Sequence, residues 1–98
     1  MTITVTQKVV LAENIIVENL EQDSVLLNLD TLAYISQDDV GTHMFNVLTT
    51  SESIDSAFKT LLEDYQIEPE LLKKDLFDYI EQLIEQGLVK IEDVEPIS

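Results

Sequence analysis

The hydrophobic pattern of the sequence changes once, near residue 36, and this change constrains the fold more than any other feature. Before it, short runs rich in Val, Ile and Leu are separated by polar turns: NIIVENL (14–20), SVLLNL (24–29) and LAYIS (32–36). After it, apolar residues recur at spacings of three and four. The first pattern is typical of β-strands and the second of amphipathic helices. The order predicts strands followed by helices, which is an α+β fold.

The three apolar runs predict an antiparallel meander. The polar segment EQD separates the first two runs, and a turn at 29–31 leads into the third, which we place at 32–36. A looser strand around 9–11 precedes them. In such a sheet the last strand lies at an edge, and residues 32–36 have neither the Lys nor the Pro that usually blunts an exposed edge.

Three helices are predicted in the rest of the chain. Ser36 begins a sequence similar to a capping box, and Ser53 is suited to cap the second helix. Pro69 and Gly87 mark the first turn and the end of the third helix. The segment LVKI (88–91) that follows is short enough to be a return strand or an extended tail.

Length and composition indicate a single domain. The chain has 98 residues, of which 45% are hydrophobic, with only two Gly and two Pro, and these values favour a folded protein over a disordered one. We interpret residues 1–98 as one domain with a core of about 9–91 and a loose tail at 92–98. The N-terminus does not resemble a signal peptide, and no apolar run approaches the ~20 residues of a membrane helix. The sequence predicts a soluble, cytoplasmic protein without membrane contact.

The charge of the chain is strongly negative. It contains twenty Asp and Glu, five Lys and no Arg, which gives a formal net charge of −15. Such a field repels nucleic acid and attracts a cationic partner, although solubility alone explains it equally well. A winged-helix DNA binder has a similar order of elements, but Lys73 and Lys74 are the only basic residues on the third helix and acids surround them. We therefore predict no nucleic-acid partner.

Few residues are suited to catalysis or metal binding. The chain has no Cys and a single His, which excludes disulfides, thiolate sites and a His-based metal site. No nucleophile has a base at a useful spacing. We interpret His43 as structural or solvent-facing, and we predict no enzyme activity, no cofactor and no metal.

The third helix has more apolar width than one core requires. At 100° per residue, its apolar residues from Tyr79 round to Phe77 span about 160°, whereas a surface helix needs little more than ~100°. Asp75 borders this arc beside Tyr79 and Leu72. An unblunted strand edge beside surplus apolar helix surface is suited to accept an extended peptide as an added strand. The alternative, that Tyr79 and Leu72 only cover the sheet, stays open.

Three segments carry a family resemblance: VLLNLDTLAYISQDDVGTHMFNVL, SIDSAFKTLLEDYQI and KKDLFDYIEQLIEQGLVKI. Together, over roughly residues 15–91, they resemble the PqqD family, whose peptide-binding modules are called RiPP recognition elements. The resemblance implies a winged-helix-like domain with a three-stranded antiparallel sheet packed on three helices. It also implies a non-catalytic domain that binds the leader of a ribosomally synthesised precursor peptide. The domain would present that leader to a radical enzyme, a protease or a cyclase.

In that family the leader pairs with the third strand and lies against the third helix. Carried over by position, the resemblance implies these peptide-binding residues: Leu32, Ala33, Tyr34 and Ile35 on the strand, and Leu72, Asp75, Leu76, Tyr79 and Leu83 on the helix. An acid at the Asp75 position is typical of the family and would meet a basic leader residue. The chain departs from the family in having Leu32 where relatives usually have Gly, and Phe45 where many have Trp.

Two other functions remain as alternatives: a winged-helix protein–protein adaptor or regulator, and an acyl-carrier-like protein. The second would need an Asp-Ser pair at an exposed helix start. Asp55-Ser56 follows the predicted start of the second helix, and Asp23-Ser24 opens a strand. The exposed strand edge could also pair with a second copy, giving a homodimer.

Overall fold

The three-dimensional structure is a computed structural model that describes residues 3–93. Five strands and three helices follow one another along the chain: β1 (Lys8–Leu11), β2 (Ile15–Leu20), β3 (Asp23–Asn28), β4 (Tyr34–Gln37), α1 (Asp39–Thr50), α2 (Ile54–Asp64), α3 (Pro69–Glu85) and β5 (Val89–Glu92). Of the predicted loose tail at 92–98, Glu92 ends β5, and residues 94–98 lie outside the described part of the chain.

Strands β2, β3 and β4 form the predicted antiparallel meander, in that spatial order. Leu26 at the centre of β3 lies opposite Val17 of β2 and Ile35 of β4. The β2–β3 connection is a two-residue turn in which Glu21 has φ 58°. The α+β fold with a three-stranded sheet and three helices is therefore confirmed.

A second, two-stranded sheet joins the two ends of the domain. β1 pairs antiparallel with β5, so that Lys8 lies opposite Glu92 and Leu11 opposite Val89. The segment LVKI is thus a return strand rather than an extended tail. Its partner is β1 and not the main sheet, a pairing between distant segments that the local sequence pattern does not reveal.

The core lies between the inner face of the main sheet and the three helices. It contains Leu26 of β3 with residues of all three helices, chiefly Phe45, Leu48, Ile54, Leu61, Leu72, Leu76, Ile80 and Leu83. On α3 the buried positions recur at spacings of four, four and three, which is one face of a helix. Within residues 3–93, no helix has both the length and the apolar composition that are needed to span a membrane.

α3 ends before Gly87, as the sequence predicts, and this end of the helix is fixed against the sheet. Gly87 has φ 70°, its amide donates to the Ile84 carbonyl (2.9 Å) and the Leu88 amide donates to the Leu83 carbonyl (3.0 Å). These bonds form a Schellman motif. The Gly87 carbonyl accepts a hydrogen bond from Asn28 Nδ2 at 3.1 Å, and a Cβ at Gly87 would lie only 2.9 Å from that nitrogen. Both the backbone angle and the close contact therefore require glycine.

The predicted capping box at Ser36 is wrong by two residues. Asp38 is the N-cap of α1, and its Oδ1 accepts a hydrogen bond from the Gly41 amide (2.9 Å). Ser36 belongs to β4, because that strand continues until Gln37 pairs with Ser24. The predicted cap of α2 is confirmed, since Ser53 Oγ accepts a hydrogen bond from the Ser56 amide at 3.1 Å.

The predicted third strand of the sheet also begins too early. Leu32 lies in the β3–β4 turn with φ 62°, and β4 starts at Tyr34. The side chain of Asn28 holds this turn, because its Oδ1 accepts hydrogen bonds from the amides of Asp30 (2.9 Å) and Thr31 (3.2 Å). Leu32 thus occupies a left-handed conformation, at the position where the resemblance described above implies Gly.

Candidate functional site

One long edge of β4 is unpaired among residues 3–93, because β4 is an outer strand of the main sheet. The Asn28 amide donates to the Ala33 carbonyl at 2.8 Å, so the Ala33 carbonyl points toward β3. Hydrogen-bonded pairs alternate along an antiparallel ladder. Ile35 and Gln37 therefore also face β3, and the backbone N–H and C=O groups of Tyr34 and Ser36 point out from the free edge.

An open groove of about 460 Å³ lies beside this edge, between β4 and α3. One wall comes from β4 and the start of α1, and the other comes from two side chains of α3. The lining residues are Ile35, Ser36, Gln37, Asp38 and Gly41 on the first wall, and Tyr79 and Gln82 on the second. We call this space the edge groove. It brings together the strand and the helix that the sequence predicts to act jointly.

Tyr79 is the largest side chain in the edge groove, and it is partly buried. Its hydroxyl donates a hydrogen bond to Oε1 of Gln37, and the carbonyl oxygen of Gly41 lies 3.3 Å from the same hydroxyl. Burial, with a smaller contribution from the negative charge of Asp38, raises the pKa of Tyr79 above its ordinary value. The hydroxyl thus stays protonated, and remains a donor, at neutral pH.

Gln37, which accepts the hydrogen bond from Tyr79, belongs to a buried chain of hydrogen bonds. Gln37 Nε2 donates to Ser24 Oγ (3.1 Å), and Ser24 Oγ lies 2.8 Å from Thr42 Oγ1. All three side chains are buried, and they belong to β4, β3 and α1. Sequence reasoning missed Gln37, although extending the strand alternation of LAYIS by one residue would have placed it on the inner face with Ile35.

A second hollow, of about 320 Å³, lies about one helical turn before the edge groove along α3. Its lining is mainly apolar, and it consists of Val40, Met44, Tyr65, Gln66, Ile67, Leu72 and Asp75. We call it the apolar hollow. Asp75 is exposed and lies one helical turn before Tyr79. The helical spacing thus arranges Leu72, Asp75, Tyr79 and Gln82 along one side of α3, as the sequence indicates.

The structure brings some of the predicted peptide-binding residues to these two spaces and not others. Ile35 and Tyr79 line the edge groove, and Leu72 and Asp75 line the apolar hollow. Tyr34 and Ala33 contribute backbone at the free edge or beside it. The side chain of Tyr34, however, turns to the exposed face of the sheet. The other three lie elsewhere: Leu32 is in the turn, and Leu76 and Leu83 are fully buried in the core. The peptide contacts themselves stay a prediction.

His43 has the contacts of a structural residue. Its Nε2 lies 2.8 Å from Asp64 Oδ2, and its ring meets that of Tyr65 edge-on, with 5.9 Å between centroids. These contacts join α1 to the end of α2. Both the His43 and the Asp64 side chains are more than two-fifths exposed, so the pair contributes little to stability.

Comparison with known proteins agrees with the architecture. The family model described as Coenzyme PQQ synthesis protein D (PqqD) matches residues 23–89. Among solved structures, TbiB1 in complex with the TbiA(beta) leader peptide has a similar fold, with a TM-score of 0.77 and 20% sequence identity. The match covers 83% of this chain and 94% of that chain, and at this identity it shows the fold alone. No curated protein matches the sequence significantly.

Proposed function

The chain belongs to the PqqD family, and from this premise we propose that it is a non-catalytic peptide chaperone. It binds the leader segment of a ribosomally synthesised precursor peptide by β-strand addition along β4, and presents the peptide to a modifying enzyme or protease. The observation that carries this proposal is the free edge of β4 beside the edge groove. TbiB1, which is similar in fold, is itself described in complex with a leader peptide.

The free edge sets the number of hydrogen bonds that an added strand gains. Tyr34 and Ser36 each offer one N–H and one C=O, which makes about four bonds with an extended peptide. At roughly 0.5–1.5 kcal/mol each, these bonds contribute only a few kcal/mol, and ordering a flexible leader opposes them with a similar free energy. Backbone pairing alone is therefore too weak to hold the peptide.

Apolar side chains of the leader supply the rest of the affinity. Alternate residues of an added strand point toward the helices and enter the edge groove, between Ile35 and Tyr79. At ~25 cal/mol per Å², burial of about 200 Å² there contributes roughly 5 kcal/mol. The apolar anchor thus decides whether a leader binds, while the backbone bonds fix its direction and register.

The apolar hollow gives the leader a second contact. In an antiparallel arrangement, the residues before the paired segment pass Gln37 and continue toward Asp38 and Val40. This direction leads to the apolar hollow and to the exposed carboxylate of Asp75. An apolar leader residue followed or preceded by Lys or Arg fits this mixed chemistry. The net charge of −15 attracts such a basic leader over long range, most strongly at low ionic strength.

Isothermal titration with the leader of a precursor peptide encoded beside this gene tests the proposal. We expect saturable binding with one leader per chain. A scrambled peptide of the same composition and charge is the matched control, because it retains electrostatic attraction but loses the order of anchors. Absence of heat and of any spectral change with several neighbouring candidate leaders, or equal affinity for the scrambled peptide, would contradict the proposal.

A further inference from the structure

The main sheet has an exposed apolar face on the side away from the helices. Register aligns Ile16 of β2, Leu27 of β3 and Tyr34 of β4 in one row across the three strands. Ile16 and Tyr34 are exposed, and Leu27 is partly buried. Leu20 and Val25 extend the same face toward the β2–β3 turn, and no element of residues 3–93 covers it. We call these five residues the outer face.

Acidic side chains interrupt the outer face and border it. Glu18 lies within the face, between Ile16 and Leu20 and opposite Val25, Asp23 lies opposite Leu20, and Asp30 lies in the β3–β4 turn. Between Lys8 and Lys59 the chain has no Lys or Arg, but it has nine acids: Glu13, Glu18, Glu21, Asp23, Asp30, Asp38, Asp39, Glu52 and Asp55. The main sheet and α1 therefore carry no Lys or Arg.

The charge determines which kind of molecule fits this face. A second copy would bring two acidic rims together, and an anionic membrane or nucleic acid would be repelled in the same way. A protein surface that combines apolar side chains with Lys and Arg is complementary in both respects. The fit of charge and hydrophobicity thus favours a basic protein partner.

The outer face and the edge groove lie on opposite sides of the sheet. Ile35 turns inward to the groove, whereas its neighbour Tyr34 turns outward. Ile16 and Leu20 lie on β2, the strand farthest from the free edge of β4. A bound peptide therefore leaves these two residues accessible, and both surfaces can be occupied at once.

We infer that the outer face docks the enzyme that acts on the bound peptide, through a surface of that enzyme on which apolar side chains lie beside Lys and Arg. The inference rests on the proposed function, because it assumes a peptide held along β4. Separate surfaces for peptide and enzyme would let the chain bring the two together without releasing the peptide.

Binding of the peptide-maturation enzyme encoded beside this gene tests the inference, with the full chain already saturated with leader. The variant carries Ile16→Ser and Leu20→Ser. We expect its affinity for the enzyme to fall at least about tenfold, as for central residues of an interface, while its affinity for the leader stays unchanged. Leu71→Ser on α3 is the matched control, because Leu71 is 50% exposed and Leu20 is 53% exposed. It should leave enzyme binding intact.

A second variant, Glu18→Gln with Asp23→Asn, leaves the apolar residues in place and so tests the charge if the first variant folds poorly. We expect weaker enzyme binding and a smaller loss of affinity as salt rises. Unchanged enzyme affinity in both variants, or an equal loss in Leu71→Ser, would overturn the inference. A wild-type homodimer in sedimentation equilibrium that Ile16→Ser with Leu20→Ser dissociates would also overturn it. Failure of the leader to bind the wild type would instead refute the proposed function.

Discussion

The hydroxyl of Tyr79 on α3 donates a hydrogen bond to Oε1 of Gln37, the last residue of β4. This bond links the two walls of the edge groove, because Tyr79 lies on the α3 wall and Gln37 on the β4 wall. Gln37 is buried and in turn donates to Ser24, so the ring of Tyr79 is held by a network that crosses the sheet. The wall on which an apolar leader residue would rest is thus fixed before any peptide arrives, which reduces the ordering cost of binding.

Two substitutions of Tyr79 distinguish the contribution of its apolar ring from that of its hydroxyl. Tyr79→Ala should weaken leader binding more than tenfold, since loss of ~1.4 kcal/mol of apolar contact already suffices for that factor. Tyr79→Phe should retain most of the affinity. It should lower the free energy of unfolding by about 1–3 kcal/mol, because Gln37 Oε1 is left without its donor. Calorimetric titration and urea unfolding measure the two effects. A Phe variant that binds as poorly as the Ala variant would show that the hydroxyl itself contacts the peptide.

Removal of the Asp75 charge should have a smaller effect. Asp75 is exposed, and exposed ion pairs contribute only about 0–1 kcal/mol. Asp75→Asn should therefore weaken binding of a basic leader by no more than about fivefold, and the difference should vanish at high salt. Titrations at low and high ionic strength check this. Asp78→Asn is the control, because Asp78 lies on the same helix and its carboxylate pairs with Lys74 (3.7 Å). A larger loss of leader affinity for Asp75→Asn than for Tyr79→Ala would contradict the expectation that the apolar contact contributes more than the charge.

Alkaline pH should destabilise the protein through Tyr79. Burial, and secondarily Asp38, raises the pKa of Tyr79 in the folded state above the ordinary value of 10.0. The resulting stabilisation is fully present below pH ~10 and is lost as pH rises toward the folded-state pKa, because the unfolded chain ionises first. Burial also raises the pKa of Tyr65. Tyr79→Phe retains Tyr65, so it should lose less stability than the wild type between about pH 9 and 11. Urea unfolding at each pH measures the effect. If the free energy of unfolding fell by the same amount in the wild type and in Tyr79→Phe, the loss of stability would not come from Tyr79.

Proline at position 36 tests the direction of the backbone groups of β4. Ser36→Pro removes an N–H that points out from the sheet, so the domain should fold while leader binding is lost. Ile35→Pro removes an N–H that faces β3, so it should unfold or strongly destabilise the sheet. Ser36→Ala retains the N–H and should bind like the wild type. Circular dichroism and titration distinguish these outcomes, and retained affinity in Ser36→Pro would exclude strand addition at this residue.

Glycine at position 32 should stabilise the domain. Leu32 has φ 62° and is 70% exposed. A left-handed conformation costs an L-residue about 1–2 kcal/mol, and glycine avoids it at an entropic cost of ~0.5–1 kcal/mol. Leu32→Gly should therefore raise the free energy of unfolding by up to about 1 kcal/mol. The neighbouring Leu29 is 48% exposed and has no positive φ, so Leu29→Gly should destabilise. Urea unfolding of both variants checks the contrast, and destabilisation by Leu32→Gly would refute it.

Much of the fold could be predicted from the sequence because its signals are local. The α2 cap at Ser53, the Pro69 start and the Gly87 end of α3 each depend on residues within one or two turns of helix. The arrangement of Asp75 and Tyr79 on one side of α3 follows from helical spacing alone. These features needed no knowledge of the rest of the molecule.

The remaining features depend on contacts between distant residues. A Leu does not signal a left-handed turn, so the sequence predicts a strand that starts at Leu32, whereas β4 starts at Tyr34. The N-cap of α1 is Asp38 and not the predicted Ser36, because pairing of Gln37 with Ser24 extends the strand beyond Ser36. Leu76 and Leu83 lie on the same helix as Tyr79, but they are completely buried in the core. Helical spacing gives the order of residues around a helix, and only the packing shows where the core ends and the groove begins.

The pairing of β1 with β5 determines how the domain responds to mechanical tension. Lys8 lies opposite Glu92 at the end of the ribbon from which both chain ends leave. A force that pulls those ends apart therefore loads the backbone hydrogen bonds one after another, as in opening a zipper, and not all together in shear. The segment before β1 also binds α2, through the Val5 and Gln7 carbonyls and the amides of Asp55 (2.9 Å) and Ile54 (2.8 Å). Under load the ribbon and this attachment would yield first, while the meander and its free edge remain intact.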